Sequence, residues 1–222
     1  MLDLQDRMKR ISLRPASVPS TPRASPGHKG SFRAVFIDRD GVLNEDTIHT
    51  YDPSELKVIE GAKEALGRFA KLGFLRVIVS NQAGIAKALF TMDQMISFDH
   101  RLWSELGPDP WDTFYFCPYH LEGVVPEFSM HSIDRKPEPG MILRAAIEHD
   151  VDLPRSYMVG DHLKDVIAAH RAGCKGILVT TGRGKRELEK LMGGVPEGAE
   201  AVPDAIVQDL RYASLLIEEW ER

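Results

Sequence analysis

Ala34-Val35-Phe36-Ile37-Asp38-Arg39-Asp40-Gly41-Val42-Leu43-Asn44 decides how this chain is read. Four apolar residues in a row end at a carboxylate, and a second carboxylate follows two residues on. A short, wholly apolar run is the pattern of a strand buried on both faces. Gly41 supplies the freedom that a tight turn needs directly after it. In an extended step, residues i and i+2 point to the same side, so Asp38 and Asp40 face one cleft. One carboxylate can then act as nucleophile and the other as general acid and base, provided a cation keeps the pair ionised. Taken alone, an Asp-rich turn after a strand explains the stretch equally well.

Outward from this run the same pattern recurs. Leu75 to Val79 ends in Ser80-Asn81, Phe114 to Phe116 leads to Cys117-Pro118, Ser156 to Val159 ends in Gly160-Asp161, and Gly176 to Val179 ends in Thr180-Thr181-Gly182. Between these runs the apolar residues fall at helical spacing: Gly61 to Lys71, a segment capped by Thr91 and running to about Leu106, Pro139 to His149, and His162 to Ala172. Ala205 to Trp220 reads as a closing helix. Alternating strands and helices predict an α/β fold, a central parallel sheet wrapped by helices. Ligands of such sheets sit beyond the carboxyl ends of the strands. Asp38, Ser80 and Asp161 each follow a strand, so one fold argument brings them together.

Three further segments carry chemistry. Ser80-Asn81-Gln82-Ala83-Gly84 offers a hydroxyl, amides and backbone N–H groups that suit phosphate oxygens. A polar strand-to-helix loop is the plainer alternative. In Asp134-Arg135-Lys136-Pro137-Glu138-Pro139-Gly140 a lysine can pin a transferring phosphoryl group and offset acidic neighbours; otherwise it is a basic surface loop. Gly160-Asp161-His162-Leu163-Lys164-Asp165 sets two carboxylates four apart at a helix start. That suits a hard cation with oxygen ligands, although N-capping by Asp161 is the ordinary reading.

Composition bounds the answer. A chain of 222 residues with 43% hydrophobic and 27% charged residues suits one α/β domain with a real core. A net charge of -5 speaks against a nucleic-acid partner. Two cysteines, Cys117 and Cys174, give no disulfide framework and fit a reducing cytoplasm. No stretch reads as a transmembrane helix or signal peptide, so neither membrane association nor export is expected. Residues 1–31, rich in Pro, Ser and Arg, read as a disordered tail ahead of a domain at 32–222. Asp3 and Asp6 lie where targeting peptides avoid acids.

Each motif is common by itself, but all four occur in order on the same kind of strand end. Asp-x-Asp-Gly-x-Leu, Ser-Asn-Gln, Arg-Lys-Pro and Gly-Asp-x-x-x-Asp resemble the motifs of haloacid dehalogenase (HAD) superfamily phosphatases, over about residues 32 to 182. Within that superfamily the chain is most similar to the family of heptose 1,7-bisphosphate phosphatases and histidinol-phosphatases. Val79 to Lys87, Phe90-Thr91 and Arg135 to Met141 carry that likeness, together with Asp38 to Asn44. The resemblance implies a Rossmann-like three-layer sandwich with a minimal cap made of loops. It implies a monomeric, magnesium-dependent phosphomonoesterase that works through an aspartyl-phosphate, on a sugar bisphosphate such as D-glycero-D-manno-heptose 1,7-bisphosphate. Asp38 would be the nucleophile and Asp40 the general acid and base. Asp38, the Asp40 carbonyl and Asp161 would bind magnesium, with Asp165 assisting. Ser80, Asn81, Gln82 and Lys136 would hold the phosphoryl group, and Arg135 the rest of the substrate.

One segment departs from the family pattern, which has a zinc loop of Cys-x-His and Cys-x-Cys. Cys117 is present, but Tyr119, Ser132 and Asp134 stand at the other ligand positions. His120 and His131 are near, yet three mixed ligands at irregular spacing make a poor zinc site, so no zinc is expected. Other functions remain in view: a histidinol-phosphate phosphatase, a non-catalytic phosphosugar-binding protein on the same fold, and a polynucleotide 3′-phosphatase. The presence of both Asp38 and Asp40 argues against the second, and the acidic charge against the third.

Overall fold

The computed structural model describes residues 14–15, 24–46, 51–194 and 199–222. Among these residues seven parallel strands form one sheet: β1 (Arg14–Pro15), β2 (Ala34–Ile37), β3 (Leu75–Asn81), β4 (Thr113–Cys117), β5 (Tyr157–Gly160), β6 (Lys175–Val179) and β7 (Ala205–Val207). Their spatial order is β1-β4-β3-β2-β5-β6-β7. The chain therefore moves outward from β2 through β3 to β4 and then returns to β5 on the other side of β2. That reversal opens a crevice at the carboxyl ends of β2 and β5, where an open α/β sheet binds ligands. Register fixes the neighbours: Ile37 lies beside Ile78 and beside Val159.

Among the described residues six α-helices cover the sheet: α1 (Ala62–Lys71), α2 (Met92–Leu106), α3 (Gly140–Glu148), α4 (Leu163–Ala172), α5 (Gly184–Met192) and α6 (Leu210–Trp220). Side chains of a strand alternate between faces, and the core divides accordingly. Val35 and Ile37 pack with Ile78, Val159 and Ile177 beneath α1, α2 and α6, through Phe69, Leu102 and Ile217. Ala34 and Phe36 pack with Val77, Val79 and Met158 beneath α3 and α4, through Ile142, Ala145 and Ala168. The result is the expected three-layer α/β sandwich. Thr91 and Gln94 close a reciprocal capping box at the start of α2.

One expectation is corrected, and one plainer alternative is ruled out. The predicted closing helix over Ala205 to Trp220 is a strand followed by a helix. Ala205 to Val207 pair with Ile177 to Val179 at the sheet edge. Asp209 then accepts the Tyr212 N–H, so α6 starts only at Leu210. Asp161 is not the cap of α4 either. His162 holds that position, its Nδ1 accepting from Lys164 N, which leaves the Asp161 carboxylate to the crevice.

Of the stretch expected to be a tail, Arg14 and Pro15 pair with Tyr115 and Phe116 at the far sheet edge. Ala24 is buried and its N–H donates to Leu143 O, and Gly27 N–H donates to Ala172 O. The remainder of residues 1–23 lies outside the described residues. Among the described residues, no helix is long and apolar enough to cross a membrane.

Candidate active site

The crevice is a cavity of about 260 Å³ whose lining includes Asp38, Asp40, Ser80, Asn81, Gln82, Arg135, Lys136, Asp161 and Asp165. The residues read from the sequence as catalytic, metal-binding or substrate-binding therefore line one cavity. Asp38 follows β2, Asp161 follows β5, and Asp165 lies in the first turn of α4. Carboxylate oxygens of these three lie within 4.8 Å of one another. Two glycines allow this approach. Gly41 has φ of 80° and Gly182 has φ of 51°, and a Cβ on either would overlap Asp161 Oδ2. The Arg183 N–H donates to Asp161 Oδ2 at 2.8 Å, and the Thr181 hydroxyl donates to Gly41 O at 2.6 Å, so the end of β6 holds both.

Lys136 is the cation set among the carboxylates. It is only 3% exposed, which overturns the surface-loop alternative. Its ammonium lies 3.0 Å from Asp38 Oδ1 and 2.7 Å from Asp165 Oδ1, and it donates to Val79 O at 2.8 Å. Burial works against its charge, but the carboxylates of Asp165 and Asp38 outweigh that and raise its pKa. Asn81 fixes it from behind. The Asn81 amide donates to Lys136 O at 3.0 Å, and its oxygen accepts the Lys136 N–H at 3.1 Å.

One lysine does not balance three carboxylates. Burial, followed by the charges of Asp165 and Asp40, pushes the Asp38 carboxyl up to about 7 despite Lys136. Burial and then Asp38 and Asp165 push Asp161 up to about 8. Crowded carboxylates that resist ionisation are what a bound cation relieves. The donor set is all oxygen, so the residues present fit a hard divalent ion.

Asp40 lies apart from this cluster. Its carboxylate accepts from Arg39 Nε at 3.1 Å and Nη2 at 2.9 Å, from Asn44 Nδ2 at 3.0 Å and from Gln82 Nε2 at 3.0 Å. Burial alone would raise its pKa, but Arg39, with Asn44 and Gln82, holds it below the usual carboxylate range. Gln82 also donates to Ser80 Oγ at 2.7 Å, which joins the two motifs. Arg39, Asn44, Lys87, His162, Lys164 and Arg183 were not read as site residues from the sequence. Arg39 and Asn44 flank Asp40 inside the quoted run, and that adjacency was the available signal. Lys87 lies beside the predicted phosphate loop, and His162 and Lys164 lie between Asp161 and Asp165.

The loop from Pro118 to Asp134 lies over the same end of the sheet. Cys117 is buried, and burial pushes its thiol up to about 11. The positions that would ligate zinc are otherwise occupied: Ser132 Oγ accepts from Asp134 N at 3.2 Å, and Tyr119 packs on Phe128 with centroids 5.8 Å apart.

Comparison with known proteins decides the family. A D-glycero-D-manno-heptose-1,7-bisphosphate 7-phosphatase of Thermosynechococcus vestitus is 39% identical over 186 residues, covering 81% of this chain and 92% of the relative. The chain belongs to the family of HAD-like heptose-bisphosphate phosphatases. The Escherichia coli K12 member, D-glycero-beta-D-manno-heptose-1,7-bisphosphate 7-phosphatase, is 40% identical over 69% of this chain and 82% of its own length. The HAD-hydrolase-like family matches residues 133–213. A crystal structure of D,D-heptose 1,7-bisphosphate phosphatase from B. bronchiseptica, complexed with magnesium and phosphate, superposes with a TM-score of 0.72 at 30% identity, covering 85% of this chain and 99% of that one. Membership in this family of phosphatases agrees with a crevice built from strand-end carboxylates and a buried lysine.

Proposed function

We propose that this chain hydrolyses the 7-phosphate of a D-glycero-D-manno-heptose 1,7-bisphosphate, with Asp38 as nucleophile and magnesium as its ion. The convergence of Asp38, Asp161 and Asp165 around the buried Lys136 carries the reading. The relatives' names supply the sugar, and none of those quoted favours histidinol phosphate.

Asp38 attacks phosphorus, the bond from phosphorus to the sugar oxygen breaks, and an aspartyl phosphate forms. The leaving oxygen takes a proton from Asp40. Water then attacks the aspartyl phosphate and gives a proton to Asp40, releasing inorganic phosphate and restoring Asp38. The proton that Asp40 donates in the first step is thus returned in the second. Arg39 favours the ionised Asp40 that the second step needs, while an arriving phosphate dianion favours the protonated Asp40 that the first step needs. Lys136 offsets the charge on phosphorus-bound oxygens. The Ser80 hydroxyl, which accepts from Gln82 Nε2, offers its proton to the same oxygens, Gln82 orients Ser80 and Asp40, Asn81 acts by holding the Lys136 backbone, and Arg135 at the cavity wall binds the remainder of the substrate. Asp38, Asp161 and Asp165, with the Asp40 carbonyl, would hold magnesium, which when bound supplies further positive charge to the phosphate oxygens.

Both cysteines are free and buried, which supports a cytoplasmic site of action. A monomer without nucleic-acid or membrane partners suffices for this chemistry. The test is phosphate release from heptose 1,7-bisphosphate, histidinol phosphate and a panel of sugar monophosphates, by the wild type and by Asp38→Asn. Release of one phosphate from the bisphosphate by the wild type alone is expected. Turnover by folded Asp38→Asn sinks the mechanism, and a preference for histidinol phosphate sinks the substrate.

A further inference from the structure

Arg39 is buried to 1% exposure beside the crevice, and among the described residues its guanidinium grips two carboxylates, those of Asp40 and Asp99. Nε and Nη2 grip both oxygens of Asp40, while Nη1 donates to Asp99 Oδ1 at 2.7 Å. Asp99 belongs to α2, sixty residues away in sequence, and is itself buried. The guanidinium carbon lies 5.0 Å from the ring centroid of Phe98, which packs on the same group. Gln82 ties the Asp40 carboxylate to the end of β3, but Arg39 and Asp40 are sequence neighbours on one turn, so their mutual contact does not fix the guanidinium against the rest of the fold. Asp99 joins that pair to a capped, fifteen-residue helix packed on the core.

Asp99 helps to offset the buried Arg39 charge, but at a cost. Its Oδ2 makes no hydrogen bond among the described residues, and a buried carboxylate that is only half satisfied is expensive to keep. Burial pushes its carboxyl up to about 6 even against Arg39. A planar guanidinium fork holds a carboxylate in one orientation, which a point charge does not. General acid and base catalysis depends on that orientation, because the proton must travel within hydrogen-bond reach of the reacting oxygen.

We propose that Asp99 is a positioning residue for the reaction: it anchors the Arg39 guanidinium, and Arg39 in turn aims the Asp40 carboxylate at the leaving oxygen. The proposal rests on the assignment of Asp40 as general acid and base. Asp99 touches neither the substrate nor the reacting atoms, and it acts only through Arg39.

The test compares two monoesters with wild-type enzyme and with Asp99→Asn, loaded with magnesium. An alkyl phosphate such as the sugar ester needs its leaving oxygen protonated. A p-nitrophenyl phosphate leaves as a stable phenolate and needs no proton. The quotient kcat/KM reports the steps up to formation of the aspartyl phosphate, where these substrates differ. Asp99→Asn is expected to lower kcat/KM on the alkyl ester about tenfold, within the range that general acid catalysis contributes, and on the aryl ester less than about twofold. Arg39→Lys, which keeps the charge and loses the fork, is expected to show the same selective loss. Adding Asp99→Asn to Arg39→Lys should then change little, since coupled residues are not additive. Equal losses on both esters, no loss on either, or an additive double variant overturns the proposal. If Asp99→Asn does not fold, Arg39→Lys carries the leaving-group test. Asp40→Asn separates the two levels. If it shows no leaving-group dependence, the assignment of Asp40 fails; if it does and Asp99→Asn does not, only the role of Asp99 fails.

Discussion

The Lys136 ammonium lies 3.0 Å from the Asp38 carboxylate, and both are held at the point where the sheet order reverses. A buried charge whose partner is removed is left uncompensated, and breaking such a pair costs about 3–5 kcal/mol. Lys136→Met should therefore unfold at lower denaturant than the wild type. The difference should be larger near about pH 8 than near about pH 5, because Asp38, pushed up to about 7, takes up a proton in the acid and no longer needs a cation. Turnover should fall by about 10²- to 10³-fold, as for loss of an oxyanion donor. Urea titrations of folded protein at both pH values check the first part; a loss of stability independent of pH would show that the ammonium is not paired with Asp38 as described.

The raised carboxyls also predict how magnesium and pH interact. Asp38 and Asp161 rise from 3.8 to about 7 and about 8 in the fold. A raised folded pKa favours the protonated form, so this contribution to stability is complete below about pH 4 and is lost as pH climbs through 7 to 8. The ion-free protein should weaken over that window. Magnesium needs the ionised carboxylates and stabilises only the folded state that it binds. The gain in Tm on adding magnesium should accordingly widen from about pH 5 to about pH 8. Thermal scans with and without the ion measure it, and a gap that is flat or narrows with pH would contradict the cation site.

Much of this site was legible in the sequence because strands buried on both faces are continuous apolar runs, and such runs end abruptly at polar residues. Asp38, Ser80 and Asp161 stand out that way, and Lys136 through the charged, proline-rich loop that precedes a helix. The Arg39–Asp99 contact was not, since nothing in the spacing of α2 marks Asp99 as facing a residue sixty positions earlier. Nor could the sequence tell that His162 rather than Asp161 caps α4, because both residue types can accept the N–H that begins a helix. The strand at Ala205–Val207 was hidden for a different reason: it is three residues long, and the periodic apolar pattern of α6 follows within a few positions.

Gly41 tests the turn that brings Asp38 and Asp161 together. Its φ of 80° suits glycine, and a Cβ there would overlap the Asp161 carboxylate and approach Gly182 Cα. Gly41→Ala should be destabilised by about 1–3 kcal/mol from the backbone conformation alone. It should also bind magnesium more weakly, since Asp161 must move aside. Gly73, with φ of 79° and open space around it, is the control. Gly73→Ala carries the same backbone strain without touching the site. Calorimetric magnesium titrations of both variants would separate the effects; equal affinities would show that the close approach of Gly41 to Asp161 is not needed for the ion.

The loop after β4 is expected to hold its shape without zinc. Structural zinc requires a full tetrahedral set of thiolate and imidazole ligands, and Tyr119, Ser132 and Asp134 cannot complete one around Cys117. Other contacts take that place. Val124 N and Val125 N both donate to Ala86 O, at 2.7 and 3.0 Å, and His120 N donates to Phe128 O at 3.1 Å. The Nδ1 of His120 accepts from Glu122 N, so it is engaged within the loop. Phe128 packs against core residues from both sides of the sheet. Protein purified without chelators should contain far less than one zinc per chain by elemental analysis. Cys117 should also be inert in the native state. Burial, the main cause, lifts its thiol from 9.0 to about 11, so near neutral pH the thiolate fraction is about 100-fold smaller than for an unperturbed cysteine. A thiol reagent should therefore label Cys117 at a measurable rate only after unfolding, and the native rate should not change on adding a zinc chelator. Stoichiometric zinc, or fast native labelling that a chelator accelerates, would mean that Cys117 is a metal ligand and that a metal, not packing, shapes the mouth of the crevice.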